Sequence, residues 1–514
     1  MSKTIIIIGA GLAGLSAALQ AAENGCNVKL VSSLPSERAQ SVMAEGGINA
    51  ALNTKDENDS PEEHFTDTIK AACGLADPNA VWGMTQAAPE LVHWLLKLGV
   101  KFNMSGYDDV DLRNFGGQKK KRTAFAQSDT GKQIMTAMID AVRRKEASGM
   151  VERFSHHSFL TLRLCGNICC GCVIRDEYSQ ETVELPGDAV IVATGGMHGL
   201  FGNTTGSLSN TGEVTAELFR LGVPLANGEM IQYHPTTVKC GGKRMLISEA
   251  ARGEGGRLFA MKDGKQWYFM EEKYPELGNL MPRDITAREI WNVSHESEVF
   301  LDMTEISKEI ISNKLSGLAD DCMTYLHKDI RKEPVSVLPG IHYFMGGILV
   351  DEQHRTPIQN LYAAGECCAQ YHGANRLGGN SLLGALYGGR VAAKSACEQA
   401  DVVDLSCATQ IDFPPASQIS EIKQLNKVMQ ETMGVVRNEN TLLNGIQTVQ
   451  ALTGNLPLLG MAVLKSALAR KESRGAHWRE DYPKSNDDDY LKTTVARFDG
   501  KQIQISFVPV PERR

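Results

Sequence analysis

This chain of 514 residues lacks an excess of positive charge, an apolar run of membrane-spanning length and paired metal-binding cysteines. Its formal net charge is -8, which gives no electrostatic reason to expect a nucleic acid or an anionic membrane surface as partner. No window reaches the ~20 apolar residues that a membrane-spanning helix needs. We therefore expect no nucleic-acid binding and no membrane insertion of this chain.

Cysteine is present but thinly spread. Twelve cysteines do not make a disulfide scaffold in a chain of this length. The densest group is Cys165, Cys169, Cys170 and Cys172, and no second pair stands where it could complete a four-ligand metal site. Since the segment 162–184 alternates like a β-hairpin, buried thiols on strands are the favoured interpretation. The sequence predicts no metal site and no iron–sulfur cluster of its own.

A cleavable signal peptide is also not expected. The apolar stretch from Ile5 to Leu19 is interrupted by Gly9, Gly11 and Gly14, and no small-residue cleavage site follows it. We expect a cytoplasmic protein, a location that still allows docking on the inner face of a membrane complex.

What the sequence does have is a dinucleotide-binding turn at its start. An apolar strand, Thr4 to Ile8, leads into Gly9-Ala10-Gly11-Leu12-Ala13-Gly14, a helical pattern follows, and Asn27 to Val31 is a second strand. Gly9 permits the tight turn, Gly11 lets a pyrophosphate approach the backbone, and Gly14 lets helix and strand pack closely. Serines occupy the end of the second strand where an acidic residue is usual, so this motif leaves NAD and FAD open.

Two later segments indicate a discontinuous nucleotide domain. The apolar runs 189–193 and 361–364 end in glycine-rich turns, as strands returning to the first sheet would. Between them, 235–339 has the mixed pattern of an inserted domain with a helix from Ile306 to Leu318, and the pattern from Ser417 to Lys471 is helical. Beyond Arg474 the tail is polar, and Asp487, Asp488 and Asp489 within it are interpreted as a solvated loop.

Several stretches, in order along nearly the whole chain, resemble the flavoproteins of succinate dehydrogenase, fumarate reductase and L-aspartate oxidase. They are 44–48 (AEGGI), 115–117 (FGG), 193–196 (ATGG), 232–236 (QYHPT), 248–256 (SEAARGEGG), 282–284 (PRD), 342–347 (HYFMGG), 372–382 (HGANRLGGNSL) and 473–477 (SRGAH). The resemblance implies an α/β fold with a doubly wound FAD-binding domain, an inserted α+β capping domain and a C-terminal helical domain. We place the FAD-binding domain at 1–233 and 341–400, the cap at 234–340 and the helical domain with its tail at 401–514.

The resemblance also implies roles for side chains. Arg283 is expected to be the general acid, recharged through Glu249 and Arg252, while hydride arrives at the other alkene carbon from N5 of FAD. His234, Ser248, His342 and Arg376 are expected to bind a small dicarboxylate, with Phe115 beside it. The flavin contacts carried over are Gly9, Gly11, Gly14, Gly46, Gly47, Glu213, Glu366, Ser381 and Leu382, with Glu213 standing where the family usually has Asp.

Departures from the family pattern indicate the subfamily. Gln40 stands where many members bond FAD covalently through His, so FAD is predicted to be noncovalent, which favours fumarate reduction over succinate oxidation. Glu45 points the same way, because fumarate reductases tend to have Glu there and succinate dehydrogenases Gln. L-Aspartate oxidase is the alternative, but Phe115 replaces the Glu that would meet the substrate ammonium.

A non-catalytic or RNA-acting flavin protein is a more distant alternative, disfavoured by the acidic charge and the complete Arg283, Glu249 and Arg252 set. Because no cluster or haem motif is present, electrons are expected to come from an iron–sulfur subunit or another donor.

Overall fold

The computed structural model describes residues 2–106, 109–401, 413 and 418–514. Ser417, where the C-terminal helical pattern was predicted to start, lies outside the described residues. The first described helix of that region begins at Ile419.

The chain is organised around a parallel sheet that begins with the predicted N-terminal strand. Ile5 to Ile8 are buried on both faces, which is why this strand reads as a continuous apolar run. Neighbouring strands pair in parallel throughout the sheet. The predicted β-α-β unit and the two returning strands are confirmed. In spatial order the strands are Leu361–Ala363, Ala189–Val192, Thr4–Ile8, Asn27–Ser32 and Val151–Ser155.

Helices cover one face of this sheet and a small antiparallel sheet covers the other. The helices form the largest core cluster of the molecule, with Leu12–Glu23 packed along Asn380–Gln399. Cys169, Cys170 and Cys172 are buried on the middle strand of the antiparallel sheet, as predicted. The helices are Leu12–Glu23, Pro61–Ala71, Pro78–Lys97, Thr130–Ala147 and Asn380–Gln399, and the strands are His157–Cys165, Ile168–Asp176 and Thr182–Pro186.

The inserted region, predicted at 235–339, is connected to the rest of the chain by two long antiparallel strands, Ile231–Cys240 and Leu338–Phe344. The predicted helix 306–318 is instead two helices that meet at Leu315. The other strands are Lys243–Leu246, Arg257–Lys262, Lys265–Trp267, Val299–Asp302 and Val335–Ser336. The helices are Ala250–Gly253, Phe269–Lys273, Arg283–Val293, Lys308–Lys314 and Ser316–Asp321, followed by a π-helical turn at Cys322–Leu326.

The C-terminal region is helical up to Ala469, as predicted, but the predicted loop at Asp487, Asp488 and Asp489 is instead the short helix Asp487–Tyr490. Farther along the tail, Lys492–Phe498 and Ile503–Pro509 form a hairpin that belongs to a five-stranded sheet, which the sequence analysis did not predict. The four-residue connection 499–502 begins with Asp499-Gly500, a pair typical of hairpin turns. The other strands of this sheet are Leu225–Ala226, Gly347–Leu349 and Cys368–Ala369, and the helices are Ile419–Thr432, Glu439–Val449, Asn455–Ala469 and Asp487–Tyr490.

Among the described residues no helix is both long and apolar enough to cross a membrane, and no group of three His, Cys, Asp or Glu side chains could hold a metal ion.

Several short strands, helices and single helical turns complete the fold. The short elements are the strands Ile48–Asn49, Leu112–Arg113 and Thr123–Ala124, the helix Glu213–Arg220, and the single turns Ser36–Arg38, Gln40–Met43, His198–Leu200, Gly278–Leu280 and Gly365–Cys367.

Candidate active site

A cavity of about 1220 Å³ lies between the carboxyl ends of the parallel strands and the inserted region. It is larger than the ~300–1,000 Å³ of ordinary ligand pockets and has room for a dinucleotide and a small acid. Of the predicted site residues, only Gly14 and Arg252 lie outside its lining. Those that line it are Gly9, Gly11, Gly46, Gly47, Phe115, Glu213, His234, Ser248, Glu249, Arg283, His342, Glu366, Arg376, Ser381 and Leu382.

The three glycines of the N-terminal turn, Gly9, Gly11 and Gly14, have different structural roles. A Cβ on Gly14 would lie 1.8 Å from the Gly9 carbonyl oxygen, and one on Gly9 would lie 2.3 Å from that of Ala193. Among the residues that the structure describes, a Cβ on Gly11 would meet nothing closer than the Ser41 hydroxyl, at 3.6 Å, and Gly11 itself lines the cavity. Gly9 and Gly14 are therefore required by the protein itself, whereas Gly11 leaves room for a ligand.

Two helix N-termini face the end of the cavity that Gly9 and Gly11 line. The helices that begin after Gly11 and Gly379 both have a glycine at the N-cap, which offers no side-chain cap. The Leu12 N–H donates to the Ser41 hydroxyl at 3.2 Å and the Asn380 N–H to the Leu377 carbonyl at 3.3 Å, so the next N–H groups of each first turn are the ones available to an anionic ligand. Ser381 and Leu382 lie in the first turn of the second helix. This arrangement fits the pyrophosphate and flavin of FAD.

Two predicted flavin contacts are carboxylates in different settings. Burial, and then the neighbouring Glu217, raise the pKa of Glu213. Glu366 accepts a hydrogen bond from the Phe344 N–H at 3.1 Å, and its Oε1 lies 3.6 Å from Nε2 of the buried His198. The sequence reasoning assigned no role to His198.

At the opposite end of the cavity, Glu249 joins the two arginines with which it was predicted to act. Arg283 donates to Glu249 Oε2 through Nε at 2.9 Å and Nη2 at 2.6 Å. Arg252 donates from Nη2 to Oε1 at 3.3 Å, and the Gly116 N–H donates to the same oxygen at 3.1 Å. Arg283 lines the cavity and Arg252 lies behind it.

The charge of Glu249 follows from these contacts. Burial alone would raise its pKa, but Arg283 and Arg252 outweigh burial and lower it. Burial lowers the pKa of Arg252, which Glu249 partly offsets. The group is therefore a buried carboxylate held between two guanidiniums.

Gln232 links Arg283 to Arg376, a second arginine that lines this end of the cavity. Its Oε1 accepts from Arg283 Nη1 at 3.0 Å, while its Nε2 donates to the Arg376 carbonyl at 2.8 Å. The Arg376 guanidinium lies 4.3 Å from the Tyr343 ring centroid, and its Nε is buried without a hydrogen-bond partner among the described residues. Burial, followed by the nearby Arg283, lowers the pKa of Arg376 to about 9.

Two histidines, His234 and His342, also line this end of the cavity. The rings of His234 and His342 lie 5.1 Å apart, edge to face. Burial, then the positive charge of Arg283, holds both pKa values well below the usual range, so both rings are neutral at pH 7. His342 Nδ1 pairs with the Thr205 hydroxyl at 2.8 Å. The Ser248 hydroxyl accepts from the Ala250 N–H at 3.4 Å.

Apolar and acidic side chains separate the two ends. Phe115 is 2% exposed, and its ring would lie 2.8 Å from a Cβ placed on Gly46. Burial, then the charges of Asp321 and Asp129, raises the pKa of Glu45 to about 8, and its Oε2 has no hydrogen-bond partner in the described parts of the chain.

Gln232 and Tyr343 lie at the end of the cavity that is formed by Glu249, Arg283, Arg376 and the two histidines, here called the substrate end. Neither residue was given a role in the sequence analysis. Both flank predicted histidines in the stretches QYHPT and HYFMGG. Their position beside the predicted residues was a signal, but their contacts with Arg283 and Arg376 depend on the folded chain.

The fold and this cavity define an FAD-dependent oxidoreductase. A family model described as "FAD binding domain" matches residues 4–382, and one described as "Fumarate reductase flavoprotein C-term" matches 452–513. The chain is 38% identical to the succinate dehydrogenase flavoprotein subunit of Bacillus subtilis, covering 100% of this chain and 98% of that protein. It is 32% identical to the 8-methylmenaquinol:fumarate reductase flavoprotein subunit of Wolinella succinogenes, over 100% and 92%.

Among solved structures, a point mutant of the E. coli quinol fumarate reductase FrdA matches with a TM-score of 0.90 at 27% identity, over 99% of this chain and 97% of that one. The chain belongs to the succinate dehydrogenase / fumarate reductase flavoprotein family.

Proposed function

We propose that this protein interconverts fumarate and succinate, with fumarate reduction as the favoured direction. Bound FAD supplies the hydride for this reaction. The chain's own residues bind the dicarboxylate, exclude water and deliver the proton.

Arg376, His234 and His342 bind and polarise the two carboxylates. Arg376 is 3% exposed and has no carboxylate partner among the described residues, so its charge is available to a ligand. The neutral histidines contribute ring nitrogens without adding charge. Fixed donors in a water-poor cavity stabilise the negative charge that develops on the substrate carboxylate.

Arg283 donates the proton to the substrate carbon, and Glu249 and Arg252 return one to it. The single observation that carries this proposal is the continuous contact Arg283–Glu249–Arg252, with only the first two members lining the cavity. An arginine is a weak acid, but the acceptor is a carbanion-like carbon. Reduced viologen dye as donor and fumarate as acceptor test the proposal, and absence of succinate formation would overturn it.

The FAD is proposed to be noncovalent. Gln40 lines the cavity where the family's linking His is expected, and its amide is not a nucleophile for this bond. Acid precipitation should therefore release all FAD into the supernatant. Flavin fluorescence that stays with the denatured chain in a gel would contradict this.

The favoured direction rests on the same residue and on Glu45. In the family the covalent link raises the flavin potential, which helps succinate oxidation, so its absence favours fumarate reduction. Glu45 borders the glycines proposed to contact the flavin, and Glu at this position is more usual among fumarate reductases. The ratio of the fumarate reduction rate to the succinate oxidation rate, measured with dyes on one preparation, tests this.

Phe115 supports a substrate without an ammonium group. It presents an apolar ring to the cavity, where an aspartate amine would need a carboxylate. L-Aspartate is therefore proposed to be a poor substrate.

An iron–sulfur subunit is proposed as the electron donor, with a cytoplasmic location at the inner face of a membrane complex. The named relatives are described as flavoprotein subunits, a description that implies partner subunits. Purification from the native source should recover an iron–sulfur protein with this chain, and a chain that purifies alone would count against the proposal.

A further inference from the structure

We propose that Arg244, to which none of the roles above is assigned, is the first contact of the incoming dicarboxylate. This inference rests on the proposed function and identifies the entrance of the same cavity. Arg244 lines the cavity together with Arg283 and Arg376. Those two arginines are buried, whereas Arg244 is only partly buried and lies two residues from the exposed hairpin turn 241–242. It therefore lies where the cavity meets solvent.

Arg244 has no acidic partner within the described parts of the chain, where its one side-chain hydrogen bond runs from Nη1 to the Thr237 hydroxyl at 2.9 Å. Burial lowers its pKa, an effect that Tyr233 partly offsets. Arg283, by contrast, is paired with Glu249. Arg244 and Arg376 are thus two guanidiniums of the substrate end without a carboxylate among the described residues, one near solvent and one buried.

The position of Arg244 is fixed by its neighbours. Its N–H donates to the Thr204 carbonyl, and the next residue, Thr205, holds His342. The aliphatic part of the Arg244 side chain packs against Gly340, where an added Cβ would lie 2.5 Å from Arg244 Cδ. The guanidinium is therefore held by the strand that carries His342 and by the hairpin that carries His234.

A cation without an acidic partner at the entrance of a cavity raises the local concentration of a dianion there and speeds its association, an effect that salt screens. The dicarboxylate would meet Arg244 first and then move to Arg376. Because the contact is made on entry, removing the charge should slow binding more than it slows chemistry.

The test measures association of malonate, a dicarboxylate that cannot be reduced, with the oxidised FAD-loaded protein by stopped-flow flavin absorbance. Arg244→Met should lower the association rate constant roughly tenfold at low ionic strength, with a much smaller difference at about 0.3 M salt. Arg244→Lys should retain most of the rate. FAD content and thermal stability of each variant establish that the cavity is intact.

Lys239→Met is the matched control. Lys239 is the cross-strand partner of Arg244 in the same hairpin, but it is exposed and does not line the cavity. It should change the association rate by less than about twofold, because an exposed charge is largely screened. An Arg244→Met rate equal to that of the unaltered protein, or equal loss in the Lys239 variant, would overturn the inference. No malonate binding by the unaltered protein would overturn the proposed function and this inference with it.

Discussion

The two ends of the cavity are built by different means. The dinucleotide end consists of backbone: glycines, two uncapped helix N-termini and the edge of a parallel sheet. The substrate end consists of buried charged and polar side chains from strands and helices far apart in sequence. Substitutions at the dinucleotide end should therefore act by adding atoms that clash with the backbone or the cofactor. Substitutions at the substrate end should act by changing the charge or the length of a side chain.

The largest effect is expected at the substrate end. Arg283→Lys keeps the positive charge but loses the two-point contact with Glu249 and re-aims the donor. Fumarate reduction should fall roughly 10²- to 10⁴-fold, the usual contribution of a general acid. The FAD content should be unchanged, because Arg283 belongs to the other end. Dye-linked assays and flavin absorbance on the same sample check both points, and near-normal turnover would remove Arg283 from the acid role.

At the dinucleotide end, two glycines should separate protein stability from cofactor binding. Gly14→Ala places a Cβ 1.8 Å from a carbonyl oxygen and should destabilise the protein by ~1–3 kcal/mol. Gly11→Ala meets no protein atom closer than 3.6 Å in the described parts of the chain, so the FAD-free protein should keep its stability.

The Gly11 variant should instead lose FAD affinity by roughly tenfold or more, about 1.4 kcal/mol. Thermal unfolding of the FAD-free proteins and FAD titrations give the two quantities. Equal behaviour of the two variants would contradict the different jobs assigned to these glycines.

A pH-dependent effect, on the order of 1 kcal/mol for each pH unit, is expected at Glu45, next to the glycines Gly46 and Gly47. Its pKa is about 8 in the folded protein, against an ordinary value of 4.5, so the folded state keeps a proton that the unfolded state loses. The stability that Glu45 contributes is present below pH 4.5 and is lost as the pH rises toward 8. The side chain of the Glu45→Gln variant does not titrate, so its stability lacks this dependence on pH.

The stability of Glu45→Gln relative to the unaltered protein should therefore increase with pH, on the order of 1 kcal/mol per pH unit between about pH 5 and 8. Denaturant unfolding of both proteins without FAD measures it. A stability difference that is independent of pH would show that this carboxyl ionises normally.

The same contrast explains what the sequence could predict. The dinucleotide turn was found because Gly9, Gly11 and Gly14 are close in sequence and lie between a strand and a helix. The substrate residues were found through resemblance, since residues as far apart as Arg283 and Arg376 meet only when the chain has folded. The C-terminal hairpin was missed although Asp499-Gly500 lies in its turn, because the tail beyond Arg474 was described only as polar.

The central claim is that the substrate end accepts a dicarboxylate without an ammonium group, and substrate choice tests it most directly. On one preparation, the rate at which fumarate reoxidises the reduced flavin should be compared with the rate of peroxide production from L-aspartate. An unpaired amine against Phe115 costs several kcal/mol, and ~1.4 kcal/mol is tenfold in rate. Fumarate should therefore exceed aspartate by roughly 100-fold or more. Faster turnover of aspartate would contradict the claim and return Phe115 to a purely structural role.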